Sequence, residues 1–294
     1  MTADDASPQI ALIGFGEAGQ AFAQGWQQQG VGPVAAFDLA GTDPAAHAAL
    51  QARAQALGVA LHTDRAAALA GVPHVFCLVT ADRALQAARE CAPHLAPGAL
   101  WFDGNSCAPD TKRAAARVIE AAGGRYVDTA VMAPVHPKLH RTPLFLAGPH
   151  ADEAAALLAG WGMQARVLGA QVGDASTVKM LRSVMIKGME ALTAECVLAA
   201  RKAGLEDQVI DTLIASNPEI DWPRQGAYNL ERMMQHGQRR ASEMREVVVT
   251  LQDLGFPGAI SAAVADWHQR IGDLGLRDAD GDLTERADSI LARL

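Results

Sequence analysis

The stretch IALIGFGEAGQAFAQGW, residues 10–26, constrains this chain more than any other. Gly14, Gly16 and Gly19 carry the spacing G-x-G-x-x-G, which alone fits any tight strand-to-helix turn. The context narrows it. Ile10–Ile13 is a short apolar run suited to a buried central strand, Glu17 to Gln29 reads as a helix ended by Gly30, and Val34–Phe37 is a second apolar run ending at Asp38. An acid about twenty residues past the last glycine is what a dinucleotide-binding βαβ unit requires. Gly14 then permits the turn, Gly16 lets the backbone approach a pyrophosphate, and Gly19 lets the helix lie close to the strand. Phe15, Glu17 and Ala18 complete the cradle, and the helix N-terminus offers N–H groups and its positive dipole end to the phosphates. Asp38 can accept hydrogen bonds from both ribose hydroxyls and repels a 2′-phosphate. Leu39-Ala40-Gly41 brings no cation beside it, so the pattern favours NAD over NADP. The bland alternative is a glycine-rich turn with a surface aspartate. S-adenosylmethionine sites use a similar turn and acid, but the third glycine suits a diphosphate better.

The chain continues the alternation. Strand-like runs fall at Val59–His62, His74–Val79, Leu100–Asp103, Tyr126–Val131, Leu144–Leu146 and Ala165–Leu168. Alanine-rich helical stretches such as Pro44–Leu57, Asp82–His94 and Pro109–Ala122 lie between them. Short β-rich runs alternating with helices predict a doubly wound α/β domain with a mostly parallel sheet. After Gly173 the strand signal ends. Ser176–Ala203 reads as one long helix, followed by helices at Asp207–Ser216, Gln225–Thr250 and Ile260–Leu274. The predicted division is an α/β domain over residues 1–170 and an all-α domain over 171–294, built on the long helix.

Composition excludes several function classes. The formal net charge is -8, and no run of Lys or Arg exceeds Arg239-Arg240, which argues against nucleic acid and anionic membranes as partners. The four cysteines, Cys77, Cys91, Cys107 and Cys196, form no C-x-x-C pair and have no histidine at zinc spacing. They read as reduced thiols, and no metal site is expected. MTADDASPQ lacks the basic and apolar regions of a signal peptide, and no apolar run approaches the ~18 residues of a membrane span. The expectation is a cytoplasmic protein acting on a small molecule.

In open α/β sheets, ligands bind beyond the carboxyl ends of the strands. The polar groups placed there are Val79-Thr80, Asp103-Gly104-Asn105-Ser106 and the segment DTAVMAP over residues 128–134. Asn105-Ser106 also has a plain structural reading, as a helix cap before Pro109. On the long helix, Lys179, Ser183, Ile186, Lys187 and Glu190 share one broad face. A solvated face with a Lys187–Glu190 ion pair is the alternative. A partly desolvated lysine of lowered pKa can take the proton of a substrate hydroxyl, and Arg182 one turn away can help depress it.

These motifs together resemble the β-hydroxyacid dehydrogenases, the superfamily that includes 6-phosphogluconate dehydrogenase. GFGEAG resembles its G-L-G-x-M-G motif, DGNSCAP its D-x-S-T-x-x-P, DTAVMAP its D-A-P-V-S-G-G, and GDASTVKMLRS its G-x-G-x-x-x-K-x-x-N-N. The correspondence covers most of residues 8–275, in order. The resemblance implies a Rossmann domain followed by an all-α domain, a homodimer or larger homo-oligomer, and oxidation of hydroxy acids or reduction of the matching carbonyls. It places Lys179 on the catalytic lysine, with Asn105 and Ser106 near nicotinamide and substrate.

Departures fall in the substrate half. The family's Ser-Gly-Gly is here Met132-Ala133-Pro134, which loses a hydroxyl and an N–H donor. The asparagine four residues after the lysine is Ser183, and the serine of D-x-S-T is Asn105. Lys187, Arg240 or Arg239, and Arg141 are candidates to replace a lost anion contact. Met132, Trp222 and Tyr228 predict a more apolar pocket than a sugar acid needs. The leading expectation is an NAD-dependent dehydrogenase with Lys179 as general acid/base. Its rivals are an imine reductase on the same architecture, which usually carries Asp or Tyr at the lysine position, and a catalytically idle NAD-binding redox sensor.

Overall fold

A computed structural model describes residues 8–276 and 281–294. The chain forms two compact units that part between Lys179 and Met180. The first is built on eight strands: β1 Ile10–Ile13, β2 Val34–Phe37, β3 Val59–His62, β4 His74–Cys77, β5 Leu100–Asp103, β6 Arg125–Val131, β7 Leu144–Ala147 and β8 Ala165–Gly169. They make one sheet in the order β3-β2-β1-β4-β5-β6-β7-β8. All neighbours are parallel except β6 and β7, which pair antiparallel. The helices are α1 Glu17–Gln29, α2 Pro44–Ala56, α3 Arg65–Leu69, α4 Ala84–Cys91, α5 Pro109–Ala121 and α6 Ala151–Gly160.

The central strands are mostly apolar because both faces are covered. Alternate residues serve opposite cores. Leu12, Phe76, Phe102 and Val127 pack with Phe22 and Trp26 of α1 on one side. Ile13, Val75, Trp101 and Tyr126 pack with Ala88, Cys91 and Ile119 on the other. Phe76 and Phe102 stack with ring centroids 4.4 Å apart. Helix starts follow local chemistry: Asp43 caps α2 ahead of Pro44 at its first turn, and α1 stops at left-handed Gly30. The order reverses between β1 and β4, the switch point where such sheets open a crevice.

Three local expectations are corrected. β4 ends at Cys77, so Val79 lies in the following turn and Thr80 precedes a 3-10 helix at Ala81–Arg83. The single helix expected over 82–94 is broken: α4 stops at Cys91, and Pro93 sits in a second 3-10 turn. The helix after Pro109 is capped by the backbone of Ala108, with no side-chain cap, so Asn105 and Ser106 do not cap it.

Helix α7, Asp174–Ala203, begins in the sheet unit and continues into the second. That unit is helical: α8 Glu206–Ser216, α9 Trp222–Asp253, α10 Ala259–Asp273 and α11 Leu283–Leu291. Asp221 caps α9 and Pro223 lies in its first turn, which starts it earlier than apolar periodicity suggested. α11 was not anticipated, although Asp282 and Glu285 form a capping box at its start. Leu230, Met233, Met244, Val247, Val264, Ile271 and Ile290 form the core. α10 folds back on α9 so tightly that a Cβ at Gly237 would lie 2.6 Å from the Cα of Gly272. Composition changes character near residue 170, but the compact units part later, within α7. The first turn of that helix is hydrogen-bonded to the sheet.

Candidate dinucleotide and catalytic site

The glycine turn is built as its spacing requires. Gly14 has φ +98, and a Cβ there would stand 2.5 Å from the Leu78 carbonyl oxygen. A Cβ on Gly19 would stand 2.5 Å from the Gly14 carbonyl oxygen, so α1 lies directly on the turn. Gly16 faces open space, with nothing within 4 Å of a Cβ, and as N-cap of α1 it brings no side chain to the first-turn amides. That leaves room for a diphosphate at the positive end of α1. Phe15 is buried in the core below the turn, whereas Glu17 is exposed and Ala18 half-buried.

Asp38 ends β2 beside this turn. Its carboxylate accepts the Phe15 amide at 2.6 Å and the Ala40 amide at 2.8 Å. A carboxylate has about four acceptor sites, so two bonds fix its orientation and leave capacity for ribose hydroxyls. Gly14, Asp38, Val79 and Asn105 therefore follow the carboxyl ends of β1, β2, β4 and β5, all adjacent in the sheet. The residues present fit a dinucleotide.

Asn105 is buried, with its amide held by Asp103 Oδ1 at 2.7 Å and Cys77 Sγ at 3.3 Å. Its Oδ1 is buried without a hydrogen-bond partner, an acceptor left over on the cofactor side of β5. Ser106 is half-buried. Met132 follows β6 and packs with Ala130, Ala147 and Ala175, bringing it against the start of α7, while Ala133 is half-buried and Pro134 exposed.

Behind these turns lies a polar cluster that sequence reasoning missed. Lys112, on the inner face of α5, is fully buried. Its ammonium is 3.1 Å from Asp103 Oδ1 and 3.6 Å from Asp128 Oδ1. Burial alone would depress this lysine, but Asp103 and Asp128 outweigh it and hold the ammonium above the usual lysine range. Tyr126 donates to Asp103 Oδ2 at 2.7 Å, and burial and that carboxylate push its phenol well up. Asp128 Oδ2 accepts from the Gly173 amide at 3.0 Å, the Ser176 amide at 3.1 Å and the Ser176 hydroxyl at 3.2 Å. Lys179, one turn past Ser176 on the same helix, is half-buried. The available signal was Lys112 itself, a charge on the same face of α5 as Ala115, Ala116 and Ile119.

The remaining candidates, apart from Arg141 between β6 and β7, lie in the helical unit. Lys187 is buried, donates to Ser183 Oγ at 3.0 Å and pairs with Glu243 Oε2 at 3.0 Å. Arg240 pairs with Glu190 Oε2 at 2.9 Å. Burial lowers the Arg240 guanidinium and raises the Glu190 carboxyl, each opposed by its partner. In place of the alternative Lys187–Glu190 pair, two pairs form between α7 and α9. Arg239 also binds Glu243, and Arg141 is exposed. Trp222 donates its indole N–H to the Leu213 carbonyl at the edge of the helical core, whereas Tyr228 is exposed. Among the described residues no cluster of His, Cys, Asp and Glu could hold a metal, and no helix is long and apolar enough to cross a membrane.

Known proteins match this architecture. Residues 9–160 match the NAD binding domain of 6-phosphogluconate dehydrogenase, and residues 200–271 match DUF1932, a domain of unknown function. A conserved hypothetical protein of Sinorhizobium meliloti 1021 is 36% identical, covering 99% of this chain and 98% of that one, with TM-score 0.73. A conserved protein of unknown function, described as similar in structure to 3-hydroxyacid dehydrogenases, is 31% identical over 90% of this chain and 96% of its own, with TM-score 0.67. The Mycobacterium tuberculosis 3-hydroxyisobutyrate dehydrogenase shares the fold at 16% identity and TM-score 0.73, covering 97% of this chain and 99% of that one. An uncharacterised 28.5 kDa protein of Methanothermus fervidus is 29% identical over 160 residues, which are 54% of this chain and 61% of that protein. With an NAD(P)-binding sheet domain and a helical domain of the DUF1932 type, the chain belongs to the 6-phosphogluconate dehydrogenase-like family.

Proposed function

We propose that the protein is an NAD-dependent dehydrogenase that moves a hydride between nicotinamide and the hydroxyl-bearing or carbonyl carbon of a small hydroxy-acid-like or alcohol substrate. Lys179 is its general acid/base. The observation that supports this best is that the helix turn leading to Lys179 is hydrogen-bonded to Asp128, on the strand next to the one ending in Asp103 and leading to Asn105. When bound, the nicotinamide supplies the hydride acceptor or donor. In oxidation the neutral Lys179 amine accepts the hydroxyl proton as the hydride leaves the carbinol carbon; in reduction the ammonium returns that proton to the carbonyl oxygen. Asn105 and Ser106 orient substrate and nicotinamide, and Met132-Ala133 gives the substrate an apolar wall. The charge of Asp38 favours NAD over NADP.

The first substrates to try are 3-hydroxy acids, followed by sugar acids and aryl alcohols, with NADH formation followed by absorbance. Lys179→Met should lower turnover ~10²-fold or more and leave NADH affinity within about twofold. Near-full turnover in that variant overturns the role of Lys179. Tight NADH binding with no turnover on the whole panel would favour a redox sensor.

A further inference from the structure

We propose that Asp128 and Lys112 are positioning residues for Lys179: Asp128 fixes the first turn of α7, and Lys112 holds Asp128 in place from behind. The inference rests on the reading of Lys179 as the acid/base.

The first amides of a helix have no acceptor within the helix. In α7 that deficit is met from the sheet. A single carboxylate oxygen of Asp128 takes the amides of Gly173 and Ser176 and the hydroxyl of Ser176. The approach is otherwise tightly fitted. Gly173 has φ +112, and a Cβ on it would run into the Arg113 guanidinium and stand 3.3 Å from the Pro109 Cβ. Arg113 could swing aside, but at that φ any residue with a side chain would be strained in bringing its amide to Asp128. Thr177 returns its hydroxyl to the Gly173 carbonyl at 2.7 Å, and the single hydroxyl hydrogen of Ser176 is shared between that carbonyl at 3.0 Å and Asp128, closing the turn. Lys179 is carried by the next turn.

The other side of Asp128 faces Lys112. Asp103 and Asp128 stand opposite each other in the β5–β6 register, so their charges are forced together in the core. One fully buried ammonium reaches both, and also donates to the carbonyls of Asp103 at 2.5 Å and Thr129 at 3.4 Å. Two carboxylates against one ammonium leave one negative charge. It is met by the amides and the positive dipole end of α7. The cluster therefore has a directional output: its residual charge holds the helix that carries Lys179.

The full chain has five lysines, few enough to resolve by NMR after ¹³C reductive methylation. The Lys179 signal is the one lost in Lys179→Arg. In Asp128→Ala we expect that signal to move and its titration midpoint to shift by ~0.5 pH unit or more, while exposed Lys138 and Lys202 keep theirs. Asp128→Asn, which keeps an oxygen for the two amides but loses the charge, should restore part of the native signal. A Lys179 signal unmoved in both folded variants overturns the proposal. Wild-type amide exchange tests the anchor without any variant. Gly173 and Ser176 should be protected like core strand amides, and exchange at the rate of an open turn would also overturn it. Neither measurement uses turnover. Full activity in Lys179→Met would remove the catalytic reading and leave the anchoring result standing.

Discussion

Lys187 Nζ and Glu243 Oε2 meet at 3.0 Å between α7 and α9, with both side chains largely shielded from solvent. An ion pair taken out of water makes each partner dependent on the other. Lys187→Met should destabilise the protein by ~3 kcal/mol, because Glu243 loses its most shielded cation while its other ion pair, to Arg239, lies at a half-exposed side chain. The double variant Lys187→Met with Glu243→Met should recover most of that loss. Urea unfolding of wild type, Lys187→Met, Glu243→Met and the double variant checks it. If Lys187 instead binds a substrate anion and contributes little to the fold, the single variant keeps its stability and its KM rises.

The glycine turn separates two roles. Gly16→Ala adds a Cβ in open space, so its Tm without ligand should match wild type, while NADH affinity falls about tenfold as the cradle fills. Gly19→Ala drives a Cβ into the Gly14 carbonyl and should lower stability by ~1–3 kcal/mol before any nucleotide is added. Thermal melts paired with NADH fluorescence titrations read both effects. Equal loss of Tm in the two variants would contradict the division.

His268 is fully buried, and its Nε2 faces the Lys187 carbonyl at 3.3 Å and Glu190 at 3.6 Å. Burial above all, with help from Arg240 and Lys187, lowers its pKa from 6.5 to about 3. Below pH 6.5 the unfolded chain takes up a proton that the folded chain refuses. The contribution is therefore whole above pH 6.5 and is lost progressively as the pH falls toward 3. At pH 5 the loss is on the order of 2 kcal/mol. Glu190, raised by burial, acts in the opposite sense at lower pH, so the comparison is the slope of wild type minus that of His268→Asn. Parallel stability curves for the two proteins between pH 7 and 5 would rule this out.

Gly237 and Gly272 let α9 and α10 touch backbone to backbone. Alanine at either position should cost ~1–3 kcal/mol. Both alanines together should cost less than the sum, since one separation of the helices relieves both clashes. Chemical denaturation of the two single variants and the double variant measures this coupling directly.

The sheet could be read from the sequence because its signals are local. Ile10–Ile13, Val34–Phe37 and Leu100–Asp103 are apolar runs bounded by turn residues, and each forms the strand it suggests. The three glycines are equally local, since their spacing together with the flanking strand and helix assigns them to turn, front and helix contact. The capping box of Asp282 and Glu285 was also readable, but its helix is short and lies beyond the apolar pattern that drew attention to α10. Lys112 could not be placed in the same way. Its meaning depends on Asp103 and Asp128 standing opposite each other, a register set by strands more than twenty residues apart. The alternative reading of Asn105 as a helix cap does not hold, because the N-cap position of the helix after it is Ala108, with no side-chain cap. Lys187 and Glu190 were placed on one helix face correctly, but their partners come from α9.

The triad of Lys112, Asp103 and Asp128 also constrains how this chain can diverge. Loss of the lysine alone leaves two carboxylates facing each other in a dry core, and loss of one acid leaves the other to share the ammonium with backbone carbonyls. Single steps through sequence space are therefore penalised, while coordinated ones are open. Relatives with a small or apolar residue where this chain has Lys112 should have given up one of the two acids or gained another cation beside them. Within such a lineage the three positions should be inherited as a block, and their joint pattern would mark a branch of the family even where overall identity has faded.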